Sequence, residues 1–336
     1  MIGLYKLAEL NIEIKSLHDE VHKLCRDYVS DNPEIDFSVE TCQEDIVFEH
    51  ERSEKEDLHE GIAIRRFSEG YLETLAVYRK IAERLPSYER ILMHGSAIAM
   101  DGKGVLFTAK SGTGKSTHAR LWKEVFGDRV ISINDDKPII SLEEGSEGGA
   151  TIYGTPWDGK HRLSTNTSAP LKAICILERA EVNSIKPITA AEAYLMLLQQ
   201  IYRPFDPVAL AQTLKLIDKL SSSVSLWRLG CNMDKEAAQV AYEAMEAYFK
   251  MKLRKDFLLH DTGRESILVP TGNAAFSGVM RGNKTLGAVL ELLKKETSYE
   301  ELAAAMRQRF DAPEGTIETD VTKVIEELRK IGALDE

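Results

Sequence analysis

The sequence has no apolar run that approaches the roughly 20 residues needed for a membrane-spanning helix. Its first residues also lack the apolar stretch of a secretory signal peptide. Cysteine is scarce as well: Cys25, Cys42, Cys175 and Cys231 lie far apart and form no CxxC pair, so neither disulfides nor a zinc site is indicated. We therefore expect a soluble cytoplasmic protein with reduced thiols and no membrane contact.

Positive charge is in deficit too. The chain has 43 Lys and Arg against 54 Asp and Glu, a formal net charge of −11. Because a nucleic-acid backbone attracts basic surfaces, no nucleic acid is expected as the main partner. The 336 residues suffice for about two or three domains with buried cores. Whether the chain forms a homo-oligomer is left open by its sequence.

One stretch, Gly104 to Phe126, carries the strongest signal in the chain. It contains an apolar strand at 105–107, a glycine-rich turn and a helix that opens at Lys115. Such a turn lets backbone N–H groups converge on phosphate oxygens, and the helix N-terminus adds a partial positive charge. The residues predicted to bind nucleotide phosphates are Ser111, Gly112, Thr113, Gly114, Lys115, Ser116 and Thr117.

Two side chains of this stretch have separate predicted roles. Lys115 brings a mobile positive charge to the outer phosphates, and the hydroxyl of Ser116 can bind Mg²⁺. The motif departs from the usual pattern at its first glycine, which is Ala109 here. ATP or another nucleoside triphosphate, together with Mg²⁺, is the ligand pair that this stretch predicts.

The acidic pair Asp135 and Asp136 ends the predicted strand at 129–136. Carboxylates at a strand end beside a phosphate loop commonly hold Mg²⁺ or accept a proton from a nucleophile. The alternative is a solvated turn, because Asp-Asp before Lys-Pro is favourable turn chemistry. His94, within the predicted strand 91–100, is expected near the loop, with a purely structural role as its alternative.

A polar loop follows the next predicted strand, in the sequence TIYGTPWDGKHRLS at 151–164. Lys160 and Arg162 are predicted to clamp the transferring phosphate, and Trp157 to stack on a base or wall a pocket. The alternative is an ordinary surface loop anchored by its tryptophan.

Three domains are predicted, at 1–88, 89–254 and 255–336. The first is an α+β segment that packs against the core, with strands at 10–14 and 36–50, a charged turn at 51–60 and a helix at 67–85. In the second, we expect further strands at 170–177 and 224–229 and helices at 190–202, 207–220 and 235–254, the last helix closing the domain.

Four motifs in order resemble the HPr serine kinase group, whose core is similar to that of phosphoenolpyruvate carboxykinases. They are His94-Gly95-Ser96, SGTGKST, Asp135-Asp136 and GTPW-x-GK at 154–160. The resemblance covers about 90–250. It implies an α/β fold with a mixed-sheet core and phosphoryl transfer from a nucleoside triphosphate to a serine-type hydroxyl.

By matching position, the resemblance implies that His94 and Asp135 lie at the reaction centre, with Asp135 as the base. It likewise implies that Asp136 and Ser116 hold the metal. The sequence departs from the group at Thr117, where these enzymes commonly have glutamate. No segment matches the part that grips HPr, so HPr itself is not the expected substrate.

The last part of the chain resembles PqqD, a small winged-helix domain that binds the leaders of ribosomally made, modified peptides. The pattern runs from ESILVPTGNAAFSGV to DVTKVIEELRKIGAL, with Phe276 at a tyrosine-type position and a capping box at Ser298 and Glu301. Strands are predicted at 266–270 and 274–280. The predicted helices lie at 285–294, 299–310 and 316–331. A winged helix that binds DNA is the alternative, and the acidic last helix disfavours it.

Together the two resemblances predict a kinase that phosphorylates a precursor peptide and binds its leader through the C-terminal domain. Its catalytic part is similar to lasso-peptide tailoring kinases. The leader groove is expected between residues 275–279 and four apolar residues of the last helix, which are Val321, Val324, Ile325 and Leu328. The alternatives are a kinase of a small hydroxylated metabolite and a non-catalytic, nucleotide-gated peptide carrier.

Overall fold

The structure is a computed structural model of the chain. It describes all residues except 144–148, 160, 161, 163, 250, 264, 273–275, 314 and 336. The chain divides into two compact units, residues 1–238 and 239–336. The segment 1–88 lies within the first unit, and the division into three domains stays a prediction.

A small α+β layer opens the first unit. Its three strands are β1 (Ile2–Leu7), β2 (Leu10–Lys15) and β3 (Phe37–Glu40). Its helices are α1 (Glu20–Leu24), α2 (Gln43–Glu60) and α3 (Glu69–Arg84), with 3₁₀ turns at Arg26–Tyr28 and Leu85–Tyr88. β2 lies between the other two strands, antiparallel to β1 and parallel to β3.

Helix α2 is where the fold differs most from the sequence prediction, which gave strand up to His50 and then a charged turn. That prediction was wrong. The structure holds α2 to α3 by charge, because Arg79 bonds to Asp45 at 2.9 Å and to Glu49 at 2.6 Å. Ion pairs between helices leave no hydrophobic period in the sequence, so a search for apolar periodicity could not find this helix.

The rest of the first unit is a large sheet with helices. The strands are β4 (Arg90–Leu92), β5 (Ser96–Met100), β6 (Lys103–Thr108), β7 (Val130–Asn134), β8 (Ile139–Ser141), β9 (Thr151–Tyr153), β10 (Ser168–Arg179), β11 (Ser184–Pro187) and β12 (Ser225–Cys231). The helices are α4 (Lys115–Phe126), α5 (Ala190–Gln200), α6 (Pro207–Ser223) and α7 (Glu236–Phe249), with a 3₁₀ turn at Gly127–Arg129. The predicted helix 235–254 therefore ends earlier than expected, at Phe249.

The sheet is mixed, as predicted. Its strands follow the order β4-β8-β9-β10-β6-β5-β7, and β12 also pairs with β10 and carries β11 on its other side. Strands β6, β10 and β12 are parallel to one another, whereas β5 is antiparallel to both β6 and β7. The central strands β5 and β6 are almost fully buried, which explains their continuous apolar runs.

The N-terminal layer shares a hydrophobic core with the large sheet. Val77 and Ile81 of α3 belong to the same buried cluster as Leu92, Ile139 and Trp157. The expectation that the first segment packs against the core is therefore confirmed, and α3 is the helix that joins the two layers.

The second unit is a small α/β domain. Its strands are β13 (Lys252–Leu253), β14 (Phe257–Asp261), β15 (Ser266–Pro270), β16 (Met280–Gly282) and β17 (Leu334–Asp335). Its three C-terminal helices are α8 (Lys284–Leu292), α9 (Tyr299–Arg309) and α10 (Thr316–Lys330). β14, β15 and β16 form an antiparallel sheet, and β13 pairs with β17.

Two details of this unit test the sequence prediction. The capping box is confirmed, because the Ser298 hydroxyl accepts from the Glu301 amide at 3.1 Å and the Glu301 carboxylate accepts from the Ser298 amide at 3.0 Å. The strand predicted at 274–280 is displaced: within the described residues it begins at Met280, and 274–275 lie outside them.

The predicted fold class is confirmed: a mixed-sheet α/β core with an N-terminal α+β segment and a small C-terminal domain of strands and three helices. In the part of the chain that the structure describes, no helix is both long and apolar enough to cross a bilayer.

The buried carboxylate of Glu73 provides a test of how the N-terminal layer is held together. Glu73 has no exposed surface, and it accepts hydrogen bonds from the amides of Leu17 (2.6 Å) and His18 (2.7 Å) and from the Thr41 hydroxyl. Replacing it leaves buried donors unpaired, so we expect Glu73→Ala to lower the free energy of unfolding by about 3 kcal/mol. Urea unfolding followed by tryptophan fluorescence measures this, since all three tryptophans lie in the first unit.

The control for this test is Glu69→Ala, in the first turn of the same helix. The Glu69 side chain is 61% exposed and lies 3.6 Å from His18. Its loss should change stability by less than about 0.5 kcal/mol. Equal effects of the two substitutions would show that the buried carboxylate does not organise this layer.

Candidate functional site

Three chain segments meet at one edge of the mixed sheet. In the antiparallel pairing of β5 with β6, Ser96 lies opposite Phe107, so the start of β5 is beside the end of β6. In the pairing of β5 with β7, Ala97 lies opposite Asn134. The residues that precede β5 and those that follow β6 and β7 therefore share this edge, which brings the predicted motifs together.

The loop after β6 has the backbone conformation that a phosphate site needs. Gly112 has φ of +74° and Gly114 of +119°, and a side chain at either position would be strained even though the space around it is open. Helix α4 starts directly afterwards at Lys115, so the unpaired amides of its first turn lie next to the loop. Ala109, at the position of the motif's usual first glycine, is buried.

The ammonium group of Lys115 lies inside this loop. The residue is only 8% exposed, and Nζ donates to the carbonyl oxygens of Ala109 (3.1 Å) and Lys110 (3.4 Å). Burial lowers the pKa of Lys115, and the nearby charge of Lys137 acts in the same direction. A buried ammonium held by two carbonyl dipoles is costly, and an anionic ligand such as a phosphate would stabilise it.

The turn that carries the acidic pair is fixed by Asn134. Its side-chain oxygen accepts from the amides of Asp136 (2.8 Å) and Lys137 (2.6 Å), while its amide group donates to the Thr155 carbonyl at 3.0 Å. Asn134 and Thr155 are fully buried. The acidic pair therefore lies on an anchored turn rather than the solvated turn that was the alternative.

The two carboxylates differ in their surroundings. Asp135 is 8% exposed and accepts a hydrogen bond of 2.7 Å from the buried hydroxyl of Ser96. Asp136 is more open, and one of its oxygens lies 3.2 Å from Lys137 Nζ and 3.3 Å from His94 Nε2. A hydrogen bond to the ionised form favours ionisation, so Asp135 is the better stabilised anion of the two.

His94 lies between the acidic pair and helix α5. Its Nδ1 is 3.0 Å from the Gln200 side-chain oxygen. Burial and the neighbouring charges of Lys137 and Lys115 lower the pKa of His94 to about 4, despite the contact with Asp136. The imidazole is therefore neutral near pH 7, and it has one N–H donor and one acceptor to offer at the site.

A cavity of about 440 Å³ opens over these groups. It is lined by His94, Ser111, Gly112, Gly114, Lys115, Ser116, Thr117, Arg120, Asp135, Asp136 and Gly159. Every described residue that was predicted to bind phosphate or metal or to act in catalysis lines this cavity, except Thr113 and Arg162. Lys160, the other predicted cation, lies outside the described residues.

A larger cavity of about 840 Å³ adjoins the first, and Asp136 and Gly159 line both. Arg162 lines this larger cavity, so its predicted role as a phosphate clamp stays a prediction. Trp157 forms part of the wall; it is 8% exposed, and its indole N–H donates to the Thr74 carbonyl at 3.0 Å. Of the two roles predicted for this tryptophan, the structure places it in a pocket wall.

Sequence analysis missed Arg120, a cation in the smaller cavity. Arg120 lies one helical turn after Ser116 on α4, so that spacing alone places the two side chains on one face. That signal was available in the sequence. The roles of Ser96, Asn134 and Gln200 depend on pairings across distant strands and helices, and no local pattern reveals them.

The residues of the smaller cavity fit a nucleotide polyphosphate with Mg²⁺. The loop amides, Lys115 and Arg120 suit phosphate oxygens, and Ser116 with a carboxylate suits the metal. Across the described part of the chain, no group of three or more His, Cys, Asp and Glu side chains could hold a metal ion by itself. Mg²⁺ commonly needs one or two carboxylates plus substrate phosphates, and Asp135 and Asp136 supply that number.

The second unit has its own accessible surface along strand β16, one edge of the antiparallel sheet. Of the apolar residues predicted to bound a leader groove, Val321, Ile325 and Leu328 are buried in the core of the unit. Val324 is partly buried, and Val279, just before β16, is 53% exposed. The accessible part of the predicted groove is therefore the surface around Val279 and Val324.

The first unit thus combines a mixed α/β sheet, a glycine loop with a helix N-terminus and an anchored acidic pair, and the second unit is a small domain with a free sheet edge. Two family models match parts of the chain. Residues 70–223, less than half of the chain, match the family described as SynChlorMet cassette protein ScmC. Residues 265–334 match the family described as coenzyme PQQ synthesis protein D (PqqD), which confirms the PqqD-like domain predicted at the C-terminus.

No curated protein is significantly similar to this chain in sequence. Among solved structures, the HPr(Ser) kinase/phosphatase from Coxiella burnetii is similar over 46% of this chain and 98% of that chain, at 11% identity and a TM-score of 0.27. The predicted likeness to the HPr kinase group thus has a counterpart, at a score too low to carry weight beside the site geometry.

Two arginines permit a matched test of the cavities, because Arg120 lines the smaller one and Arg162 the larger one. We expect Arg120→Ala to weaken the binding of a fluorescent ATP analogue about tenfold, since a charge-assisted hydrogen bond to phosphate is lost. Arg162→Ala should leave that Kd within about twofold. Equal losses in both variants, or none in Arg120→Ala, would contradict the placement of phosphates in the smaller cavity.

Proposed function

We propose that this chain is a kinase that transfers a phosphoryl group from ATP to a hydroxyl, in the first place a serine hydroxyl, of a ribosomally made precursor peptide. The leader of that peptide binds to the second unit. The observation that carries the proposal is that a phosphate-binding cavity and a larger cavity share Asp136 in a chain whose residues 265–334 match PqqD. The match to ScmC is compatible with such a tailoring role.

In the proposed reaction, the smaller cavity holds the phosphates. The loop amides, Lys115 and Arg120 bind the phosphate oxygens, and Ser116 with one carboxylate holds the metal. When bound, ATP supplies the phosphoryl group and Mg²⁺ neutralises part of its charge. The neutral imidazole of His94 offers an N–H to the same space without adding a second positive charge.

The hydroxyl that is phosphorylated enters through the larger cavity, so its proton must pass to a carboxylate that this cavity reaches. Asp136 lines both cavities, whereas the Ser96 hydroxyl stabilises Asp135 as an anion. These surroundings favour Asp136 as the proton acceptor and Asp135 as the metal ligand. The sequence resemblance assigned the two roles the other way round, and the two asparagine variants below decide between the assignments.

Leader binding raises the concentration of the acceptor hydroxyl at the site. A flexible connection between the two binding events gives an effective concentration of roughly millimolar. A leader that adds as a strand to β16 would gain affinity from backbone hydrogen bonds and specificity from side-chain pockets, here near Val279 and Val324. The two activities then lie in one chain, one in each unit.

Two other functions make different predictions. A kinase of a small hydroxylated metabolite would need no leader, so its activity would be indifferent to changes at the edge of β16. A nucleotide-gated peptide carrier would need no proton acceptor, so neither aspartate variant would abolish a chemical step.

The acidic pair gives the first test, with a precursor peptide encoded beside this chain as substrate and mass spectrometry as the readout. We expect Asp136→Asn to lower kcat by about 10²–10⁴-fold with the Kd for ATP little changed, as for loss of a general base. Asp135→Asn should instead shift the Mg²⁺ titration to higher concentration. The opposite pattern restores the assignment from the resemblance, and full activity in both variants sinks the kinase proposal.

The edge of β16 gives the second test. Val279→Asp introduces a charge beside the proposed leader strand, so we expect the KM for full precursor to rise about tenfold or more. The KM for a leaderless core peptide should stay the same. Leu258→Asp is the matched control, because Leu258 is 59% exposed on β14, the opposite edge of the same sheet. A similar change in both variants would remove β16 as the leader site.

A further inference from the structure

The larger cavity is built in part by the N-terminal layer, for which the sequence suggested no chemistry. Helix α3 contributes Tyr71, Leu75 and Tyr78 to its lining, and α1 contributes Leu24. The volume of about 840 Å³ falls within the roughly 300–1,000 Å³ that ligand pockets usually have. The cavity reaches the acidic pair through Asp136, so its occupant lies next to the phosphates.

The walls of this cavity are largely apolar and partly rigid. Tyr78 packs on Trp157 with 5.6 Å between ring centroids, and the indole of Trp157 is fixed to the Thr74 carbonyl. Tyr71 is 45% exposed and stacks on Phe67 at 4.9 Å, so it forms the open rim. Preformed aromatic walls of this kind bind apolar side chains with little loss of conformational entropy.

The charged groups of the cavity do not favour a charged occupant. Acidic and basic side chains line it in nearly equal numbers. Two of the cations are paired, Lys137 with Asp136 at 3.2 Å and Lys23 with Asp19 at 2.6 Å. An apolar group therefore gains more from this cavity than an acidic or basic one, because a charge would be desolvated without a free partner of opposite sign.

We infer that helix α3 of the N-terminal layer is the element that selects the acceptor. The larger cavity takes the hydroxyl residue together with an apolar or aromatic side chain next to it in the peptide. The hydroxyl lies at Asp136, and the neighbouring side chain packs against Tyr71 and Leu75. This inference rests on the proposed function, because it assigns the acceptor of the same reaction.

The experiment uses the full chain and two sets of short synthetic peptides, each with one serine. In one set the residue before the serine is Phe, Leu, Ala, Asp or Lys, and in the other set the residue after it is varied in the same way. The value of kcat/KM is measured for each peptide with ATP and Mg²⁺. The wild-type chain should prefer Phe or Leu over Asp or Lys by about tenfold or more in at least one set, as expected for a filled apolar pocket.

The variants Tyr71→Ala and Leu75→Ala should reduce that preference to about threefold or less. The preference is a ratio within one variant, so a general loss of stability or activity does not imitate its loss. Phe48→Ala is the control, because Phe48 is an exposed aromatic residue on the neighbouring helix α2 and does not line the cavity. It should keep the wild-type preference.

The outcomes separate this inference from the proposed function. If the wild type phosphorylates the peptides without an apolar preference, or if Tyr71→Ala and Leu75→Ala keep it in full, α3 does not select the acceptor and the kinase proposal stands. If the wild type phosphorylates neither these peptides nor a full precursor, the proposed function fails and the inference falls with it.

Discussion

The antiparallel pairing of β5 with both of its neighbours is the constraint on which the site depends. Because β5 runs against β6 and β7, its start lies at the edge where those two strands end. That arrangement puts His94, the glycine loop and the acidic pair around one cavity, although they are distant in the chain. The buried ammonium of Lys115 is stabilised there by carbonyl dipoles alone until an anion arrives, which makes the edge a receptor for phosphate.

The N-terminal layer depends on a second buried charge. Glu73 holds the segments around α1 and β3 to helix α3, and the same helix turns Tyr71 and Leu75 toward the larger cavity. Stability and acceptor binding therefore meet in one element. A segment whose sequence shows no catalytic motif can in this way shape the specificity of a site built by other residues.

Local signals in the sequence were enough to predict the main elements of both units. The apolar run at β6, the glycines at 112 and 114 and the capping box at Ser298 each have a physical cause within a few residues of the chain. Helix α2 was missed because ion pairs with Arg79 hold it, and charge pairs leave no apolar period. The support of the acidic pair by Ser96 and Asn134 arises from strand register, and a single sequence does not encode register locally.

The central claim is that capture of a leader by the second unit delivers the acceptor to the first. The most direct measurement adds an excess of isolated leader peptide to the wild-type chain with ATP and Mg²⁺. Phosphorylation of the full precursor should fall as the leader saturates the chain, while phosphorylation of a leaderless core peptide should be unchanged. If the leader has no effect on the precursor, or inhibits both reactions equally, the two units do not work together in this way.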